Sequence, residues 1–336
     1  MEEIFLTEQE KEAILWQRRR KKEKSDLKRI TAFIGLAYFI QMLLPYLFSI
    51  GISFASVFFG FSEELLTLYD DNGFLMFLQV VLSIAAFVFP YLMVLPGIKK
   101  CGGGLISFGL PKKGTILPLI LMGFGFCAFG NIATNVISTL FELVGINFSS
   151  PEFEYPEGFS GVILVVIAVA VVPALVEEYA MRGVIMGGLR PFGKGFAIVM
   201  SALVFGMMHG NFVQLPFAFV MGIFLGYAAI KSGSIWVAVV IHLVNNLTAV
   251  ALEYIFDAVG KPETQSVFIS VYFALCFLCF FIGLVLTGKN SEDFWKREPT
   301  DRSITLKEQV CIFLFSPVTI LNAVMTVFMC LAYVSI

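Results

Sequence analysis

The residues best suited to chemistry lie inside apolar stretches of the sequence. They include the chain's two histidines, His209 in SALVFGMMHG and His242 in IWVAVVIHLVNN. A third apolar stretch, PALVEEYAMRG, carries Glu177, Glu178 and Arg182. An ionisable side chain at the centre of a bilayer costs about 3 kcal/mol on insertion scales, so such residues usually face the protein interior and serve a function. Two acids, one guanidinium and two imidazoles are the groups of a hydrolytic or metal site.

Helical spacing predicts different roles for the two acids. Glu178 and Arg182 are four residues apart on one helix face, with the acid on the N-terminal side, and should form a buried salt bridge. Glu177 points about 100° away around the helix and is left unpaired. An unpaired carboxylate can accept a proton from water or ligate a metal. Pro173, four residues before Glu177, removes a backbone hydrogen bond and should bend the helix beside the site.

Each histidine also has a polar or aromatic residue four positions away on the same predicted helix. Phe205 precedes His209 by four residues, and Asn246 follows His242 by four. A neutral imidazole binds a water or a divalent metal, and an Asn can orient a His or donate to an oxyanion.

These donors match the ligand count of a catalytic zinc site. Two imidazoles, from His209 and His242, and the carboxylate of Glu177 leave a fourth position open for water, so we predict a Zn²⁺ ion. The alternative has no metal: Glu177 takes the proton directly, while the imidazoles and the Asn246 amide hold the water and the oxyanion. The sequence favours neither arrangement decisively, because the ligands come from separate helices.

The three apolar stretches place their polar residues at similar depths. Measured from the basic residue at the inner end of each helix, at about 1.5 Å per residue, Glu177, His209 and His242 lie about 20, 22 and 16 Å away. A single interhelical polar contact contributes about 0.6 kcal/mol, and any one of these residues alone could be structural. Unrelated structural residues would have no reason to agree in depth, so we predict one shared site.

The composition indicates that membrane helices position these residues. The chain is 58% hydrophobic and only 14% charged, and apolar runs recur along its length. A run such as FALCFLCFFIGLVL is apolar on every side, unlike the alternating strands of a membrane β-barrel. We therefore predict an all-α polytopic membrane protein whose polar site is formed by its fourth, fifth and seventh spans. The net charge of -2 gives no indication of a nucleic-acid partner.

Nine apolar stretches are candidate spans. They are residues 30–59, 74–95, 115–144, 161–189, 196–208, 215–230, 235–255, 267–286 and 310–335. With a cytoplasmic N-terminus, 22 of the 23 Lys and Arg lie on the cytoplasmic side or point to it, and only Lys261 lies outside. This distribution predicts an integral multi-pass membrane protein with its N-terminus in the cytoplasm.

Three motifs in order along the chain resemble those of a known family. EEYAMR at 177–182 resembles the EExxxR motif of the CPBP family, FGMMH at 205–209 its FxxxH motif, and HLVNN at 242–246 its HxxxN motif. That family contains the type II CAAX prenyl endopeptidases and bacterial relatives linked to bacteriocin processing or self-immunity. The resemblance covers roughly residues 161–252. It implies that Glu177 activates water, and that the remaining site residues are Glu178, Arg182, His209, His242 and Asn246.

The resemblance implies an intramembrane CAAX-type endopeptidase, metal-assisted or metal-free. Its partners would be the lipid bilayer and a peptide or protein substrate, either prenylated or a bacteriocin or leader peptide. Two other classes stay open: a catalytically silent immunity or scaffold protein, and a transporter. A transporter would favour repeated halves with broken helices, and the sequence has no such symmetry.

Motifs and composition together predict four parts. Residues 1–29 form a basic cytoplasmic segment that should lie at the anionic inner leaflet, at about 1 kcal/mol per basic residue. Residues 30–160 are N-terminal membrane helices, 161–255 the CPBP-like catalytic core, and 256–336 C-terminal membrane helices.

Overall fold

The computed structural model describes residues 7–59, 72–151, 155–156, 158–288 and 302–335, and nearly all of them are helical. The helices are α1 (Glu8–Phe59), α2 (Asn72–Lys100), α3 (Ile116–Glu142), α4 (Gly158–Phe192), α5 (Lys194–Met207), α6 (Gln214–Ser232), α7 (Ile235–Val259), α8 (Pro262–Gly288), α9 (Leu306–Leu314) and α10 (Pro317–Leu331). Two short strands, β1 (Asn147–Phe148) and β2 (Val334–Ser335), pair antiparallel. The predicted all-α polytopic membrane fold is confirmed.

By length and composition, fewer than nine helices among the described residues qualify as membrane spans. Within the described ranges, seven helices are long and apolar enough to cross a membrane, and α9 with α10, bent by 60°, would make an eighth. The stretch predicted as the fifth span forms α5, which has 14 residues and a length of about 21 Å. A full crossing needs about 20 residues. The predicted count of nine is therefore unconfirmed.

The first helix is longer than the span predicted for it. It runs for 52 residues without a break, about 78 Å, and contains Pro45. From Glu8 onward, the basic segment that ends at residue 29 is therefore helical and belongs to the same helix as the first span. The cytoplasmic orientation and the four-part division stay predictions. Three of the basic residues used for the orientation lie outside the described residues: Lys289, Lys296 and Arg297.

Helix α4, which carries both acids, alternates between α- and π-helical turns. Its successive segments are Gly158–Val165 (α), Val166–Val171 (π), Val172–Glu178 (α), Tyr179–Met186 (π), Gly187–Leu189 (α) and Arg190–Phe192 (3₁₀). Pro173 lies at the second position of the α-helical segment that ends at Glu178. π-helical turns widen a helix and rotate the residues that follow, and they occur often at functional sites.

Small residues let the helices around the site approach closely. A Cβ atom on Gly222 of α6 would lie 2.9 Å from Ala202 Cα of α5, and one on Gly226 would lie 3.1 Å from Met186 Sδ of α4. This is the close packing expected of a GxxxG pair. On α6, the ring of Phe224 stacks on that of Phe126 of α3, with centroids 4.3 Å apart. This contact joins α3 to the hydrophobic core around the site.

Candidate functional site

The salt bridge predicted from the i, i+4 spacing is present. Arg182 Nη1 donates to Glu178 Oε1 at 2.9 Å, and both side chains are fully buried. Arg182 Nη2 also donates to the carbonyl of Gly222 on α6, at 3.2 Å. A buried charge is tolerated only when it is paired and hydrogen-bonded. The pair therefore holds α4 against α6 as well as neutralising Glu178.

The imidazole of His242 lies between the two adjacent glutamates. Its Nδ1 is 2.9 Å from Glu178 Oε1, the oxygen that also accepts from Arg182. Its Nε2 is 3.9 Å from Glu177 Oε2. A carboxylate accepts hydrogen bonds, so Nδ1 carries the proton and Nε2 of a neutral ring is left with a free lone pair. Glu178 thus orients His242 so that its basic nitrogen faces Glu177.

The two glutamates differ in exposure as well as in partners. The Glu178 side chain is 0% exposed, whereas that of Glu177 is 14% exposed. The separation of 3.9 Å between Glu177 Oε2 and His242 Nε2 is too long for a direct hydrogen bond, and a water can contact both atoms at that distance. Glu177 is therefore the acid that is placed to meet water.

The Nδ1 atom of His209 is also hydrogen-bonded. This nitrogen lies 2.9 Å from the carbonyl oxygen of Phe205, one turn earlier on α5. A carbonyl only accepts, so Nδ1 donates and Nε2 is the free acceptor. The two imidazoles consequently share the same tautomer when neutral.

The ring of Phe205 contacts residues from all three motifs. The Cζ atom of Arg182 lies 4.4 Å from its centroid, a cation–π contact. The rings of His209 and His242 meet it edge to face, with centroid distances of 5.3 and 5.7 Å. One residue from each of the three motifs thus contacts the same aromatic ring: Arg182, His209 and His242.

Asn246 uses its amide to join two helices. Its Nδ2 donates to the carbonyl of Val169 on α4 at 3.0 Å, and its Oδ1 accepts from Asn245 at 3.0 Å. One of the two N–H donors of Nδ2 is used by the Val169 carbonyl, and the second has no protein acceptor among the described contacts. The oxyanion role of Asn246 stays a prediction.

Asn211 is a supporting residue that sequence reasoning missed. It is fully buried, and its Nδ2 donates to the backbone carbonyl of His209 at 3.0 Å. Its Oδ1 accepts from the backbone N–H of Gln214 at 2.8 Å, at the start of α6. The available signal was an Asn in an apolar region just before a helix, where such side chains satisfy free backbone groups.

The sequence-predicted zinc ligands do not form a metal cluster in this arrangement. Among the described residues, no group of three or more His, Cys, Asp or Glu side chains is placed to hold one ion. The donor types of Glu177, His209 and His242 suit zinc, but their positions do not fit the ion.

Comparisons with known proteins agree with the motifs. Residues 159–248 match the family described as type II CAAX prenyl endopeptidase Rce1-like. The membrane-embedded CAAX protease MroQ of Staphylococcus aureus (strain USA300) is 29% identical over 176 residues, which are 47% of this chain and 67% of that protein. No solved structure matches the chain significantly. The segment matched to the family contains all three motifs.

The multi-pass helical fold and these matches define the class as intramembrane proteases. The matches support a CPBP-family intramembrane protease, and the similarity to the Rce1-like CAAX proteases lies in residues 159–248. The chain is an integral membrane endopeptidase of this general kind, and its substrates are peptides or proteins in a membrane.

Proposed function

We propose that the protein hydrolyses peptide bonds within the membrane by a water molecule that Glu177 activates. The observation that carries the proposal is the placement of His242, whose Nδ1 is held by Glu178 at 2.9 Å while its Nε2 faces Glu177 at 3.9 Å. This leaves two hydrogen-bond acceptors, one carboxylate oxygen and one imidazole nitrogen, on either side of a space that one water can contact.

The donors and acceptors of such a water balance. It donates one O–H to Glu177 Oε2 and the other to His242 Nε2, so its lone pairs remain free for a substrate carbonyl. A carboxylate within hydrogen-bond reach of the nucleophilic water is the geometry that a general base requires.

The reaction then follows in two steps. The water oxygen attacks the carbonyl carbon of the scissile amide, its proton passes to Glu177, and the carbonyl becomes an oxyanion. The C–N bond then breaks as the protonated Glu177 gives the proton to the leaving nitrogen. The products are a carboxylic acid and an amine, and Glu177 returns to its charged form.

In this scheme Glu178, Arg182 and Phe205 support the reacting groups and do not contact the substrate. Arg182 is fully buried and already donates to Glu178 and Gly222, so we assign it the neutralisation of Glu178. Glu178 in turn fixes the tautomer of His242. The free Nε2 of His209 offers a second acceptor at the site, suited to a substrate N–H.

For the substrate we propose a prenylated peptide or a bacteriocin-type leader peptide that reaches the site from the lipid. The first follows from the CAAX prenyl endopeptidases after which the matched family is named. In both cases the lipid chain or the apolar segment would hold the peptide in the bilayer beside the site.

Cleavage by purified protein in liposomes tests this proposal. A peptide ending in a prenylated CAAX sequence, its unprenylated counterpart and a leader-peptide library are incubated with wild type and with Glu177→Gln, and products are identified by mass spectrometry. We expect specific cleavage that falls by ~10² or more in Glu177→Gln. Full activity of that variant at equal yield would refute the general base. Absence of cleavage of every substrate by wild type would favour the silent immunity or scaffold alternative.

A further inference from the structure

The turn that carries His209 is held by helices outside the matched domain. This turn, residues 208–213, joins α5 to α6. Residues on both sides of His209 touch parts of the chain that lie before residue 159 or after residue 248. The flanking helices carry no motif, and these contacts connect them to the turn of His209.

Four separate elements reach the turn. Thr134 Oγ1 of α3 donates to the carbonyl of Val213 at 3.0 Å, and the Phe148 ring of β1 packs on Phe212 with centroids 5.0 Å apart. A Cβ on Gly210 would lie 2.9 Å from Met329 Cε of α10, so this methionine packs directly on the backbone. The fourth element is α1, whose Gln41 reaches Met208.

The contact of Gln41 is directed rather than incidental. Its Nε2 donates to Met208 Sδ at 3.9 Å, and its Oε1 accepts from the hydroxyl of Tyr91 on α2 at 2.7 Å. Gln41 is 4% exposed and Tyr91 is 0% exposed. An amide in an apolar interior is tolerated when it is hydrogen-bonded, and an apolar residue would serve if packing were its only role. The bond from Tyr91 fixes which end of the amide faces Met208.

We propose that Gln41, oriented by Tyr91, is a positioning residue for His209. Met208 and His209 are consecutive, so the side chain of Met208 sets where the backbone of His209 lies. The His209 ring is in turn tied to this backbone by its bond to the Phe205 carbonyl. The inference rests on the proposed function only in that it assigns His209 a part in the reaction.

The chain offers a matched control in the same helix. Tyr38 of α1 is also buried, and its hydroxyl is hydrogen-bonded to Thr326 Oγ1 of α10 at 2.8 Å. Tyr38→Phe and Tyr91→Phe each remove one buried hydroxyl, and only Tyr91 holds Gln41. A general loss of packing would affect both variants alike.

Histidine-selective isotope labelling gives a readout that does not depend on activity. The chain has two histidines, so labelled protein gives two sets of imidazole signals, assigned with His209→Asn and His242→Asn. We expect Gln41→Leu and Tyr91→Phe to shift the His209 signals and to leave those of His242 in place. Tyr38→Phe should leave both sets unchanged.

Kinetics supply the second readout. In Gln41→Leu and Tyr91→Phe, kcat should fall about 10-fold or more while KM stays within about twofold, since a misplaced catalytic group affects the reacting step. Tyr38→Phe should retain wild-type kcat.

Two outcomes overturn the inference. One is unchanged His209 signals in folded Gln41→Leu and Tyr91→Phe, and the other is shifted signals with unaltered kcat. If Gln41→Leu does not fold, Tyr91→Phe decides by the same criteria, since it removes one oxygen only. A wild type without cleavage activity would refute the proposed function, and the His209 signals would still decide whether Gln41 positions the ring.

Discussion

The side-chain amide of Asn246 donates a 3.0 Å hydrogen bond to the carbonyl oxygen of Val169. Val169 lies in the π-helical segment Val166–Val171, shortly before Pro173, which has no backbone N–H. Asn246 of α7 adds a side-chain donor to this carbonyl. The bond thus joins the helix of His242 to the helix of Glu177, about two turns before the two acids.

Removal of this donor should lower stability. In Asn246→Leu the carbonyl of Val169 loses its partner in an apolar interior, a loss of about 1 to 3 kcal/mol. We expect a lower Tm in detergent, with lower activity as a consequence. An Asn246→Leu protein with unchanged Tm and abolished activity would instead support a direct role at the oxyanion.

The two adjacent acids should respond differently to the same substitution. Glu177→Gln removes the base without disturbing an ion pair, and we expect activity to fall by ~10² or more at normal yield. Glu178→Gln leaves Arg182 buried without its counter-charge and weakens the bond that orients His242. Its yield and Tm should fall together with activity. Expression level, Tm and initial cleavage rates of both variants check the prediction, and equal behaviour of the two would contradict it.

Arg182 and His209 should likewise separate folding from catalysis. Arg182→Ala leaves Glu178 as a buried charge without its guanidinium, and breaking a buried pair costs about 3 to 5 kcal/mol. We therefore expect a lower yield of folded protein as well as lost activity. His209→Ala should abolish activity with a yield close to wild type. Size-exclusion profiles and cleavage assays of the two variants decide this, because equal loss of yield in both would mean that the polar cluster is structural.

Local periodicity was sufficient to predict the parts of the site that lie on one helix. The bond between Glu178 and Arg182 follows from their spacing, because residues four apart share a helix face. The membrane helices follow from long apolar runs, which need no tertiary information. The similar depths predicted for the three motifs agree with the contacts of Arg182, His209 and His242 with Phe205, and the full set of site residues stays a prediction.

Features that depend on tertiary packing could not be predicted. The bond of His242 to Glu178 rather than Glu177 depends on how α4 and α7 are rotated, and π-helical turns within α4 alter that rotation. The predicted count of nine spans is unconfirmed because of α5. From the sequence alone, an apolar stretch of that length can be a short buried helix or a membrane span. The contact of Gln41 with Met208 joins residues 167 positions apart, and no local pattern signals it.

The metal dependence of the reaction is the last prediction. The sequence predicted Zn²⁺ held by Glu177, His209 and His242, whereas the arrangement of the described residues includes no group of three such side chains around one point. The glutamate mechanism that we propose uses Glu177 and His242 alone to hold the water. We therefore expect purified active protein to contain far less than one metal ion per chain and to keep its activity in chelator. Elemental analysis of the preparation used for the cleavage assay, before and after chelation, measures both quantities. One zinc per chain that is lost in His209→Ala, with chelator-sensitive activity restored by added zinc, would contradict this mechanism and support the zinc arrangement.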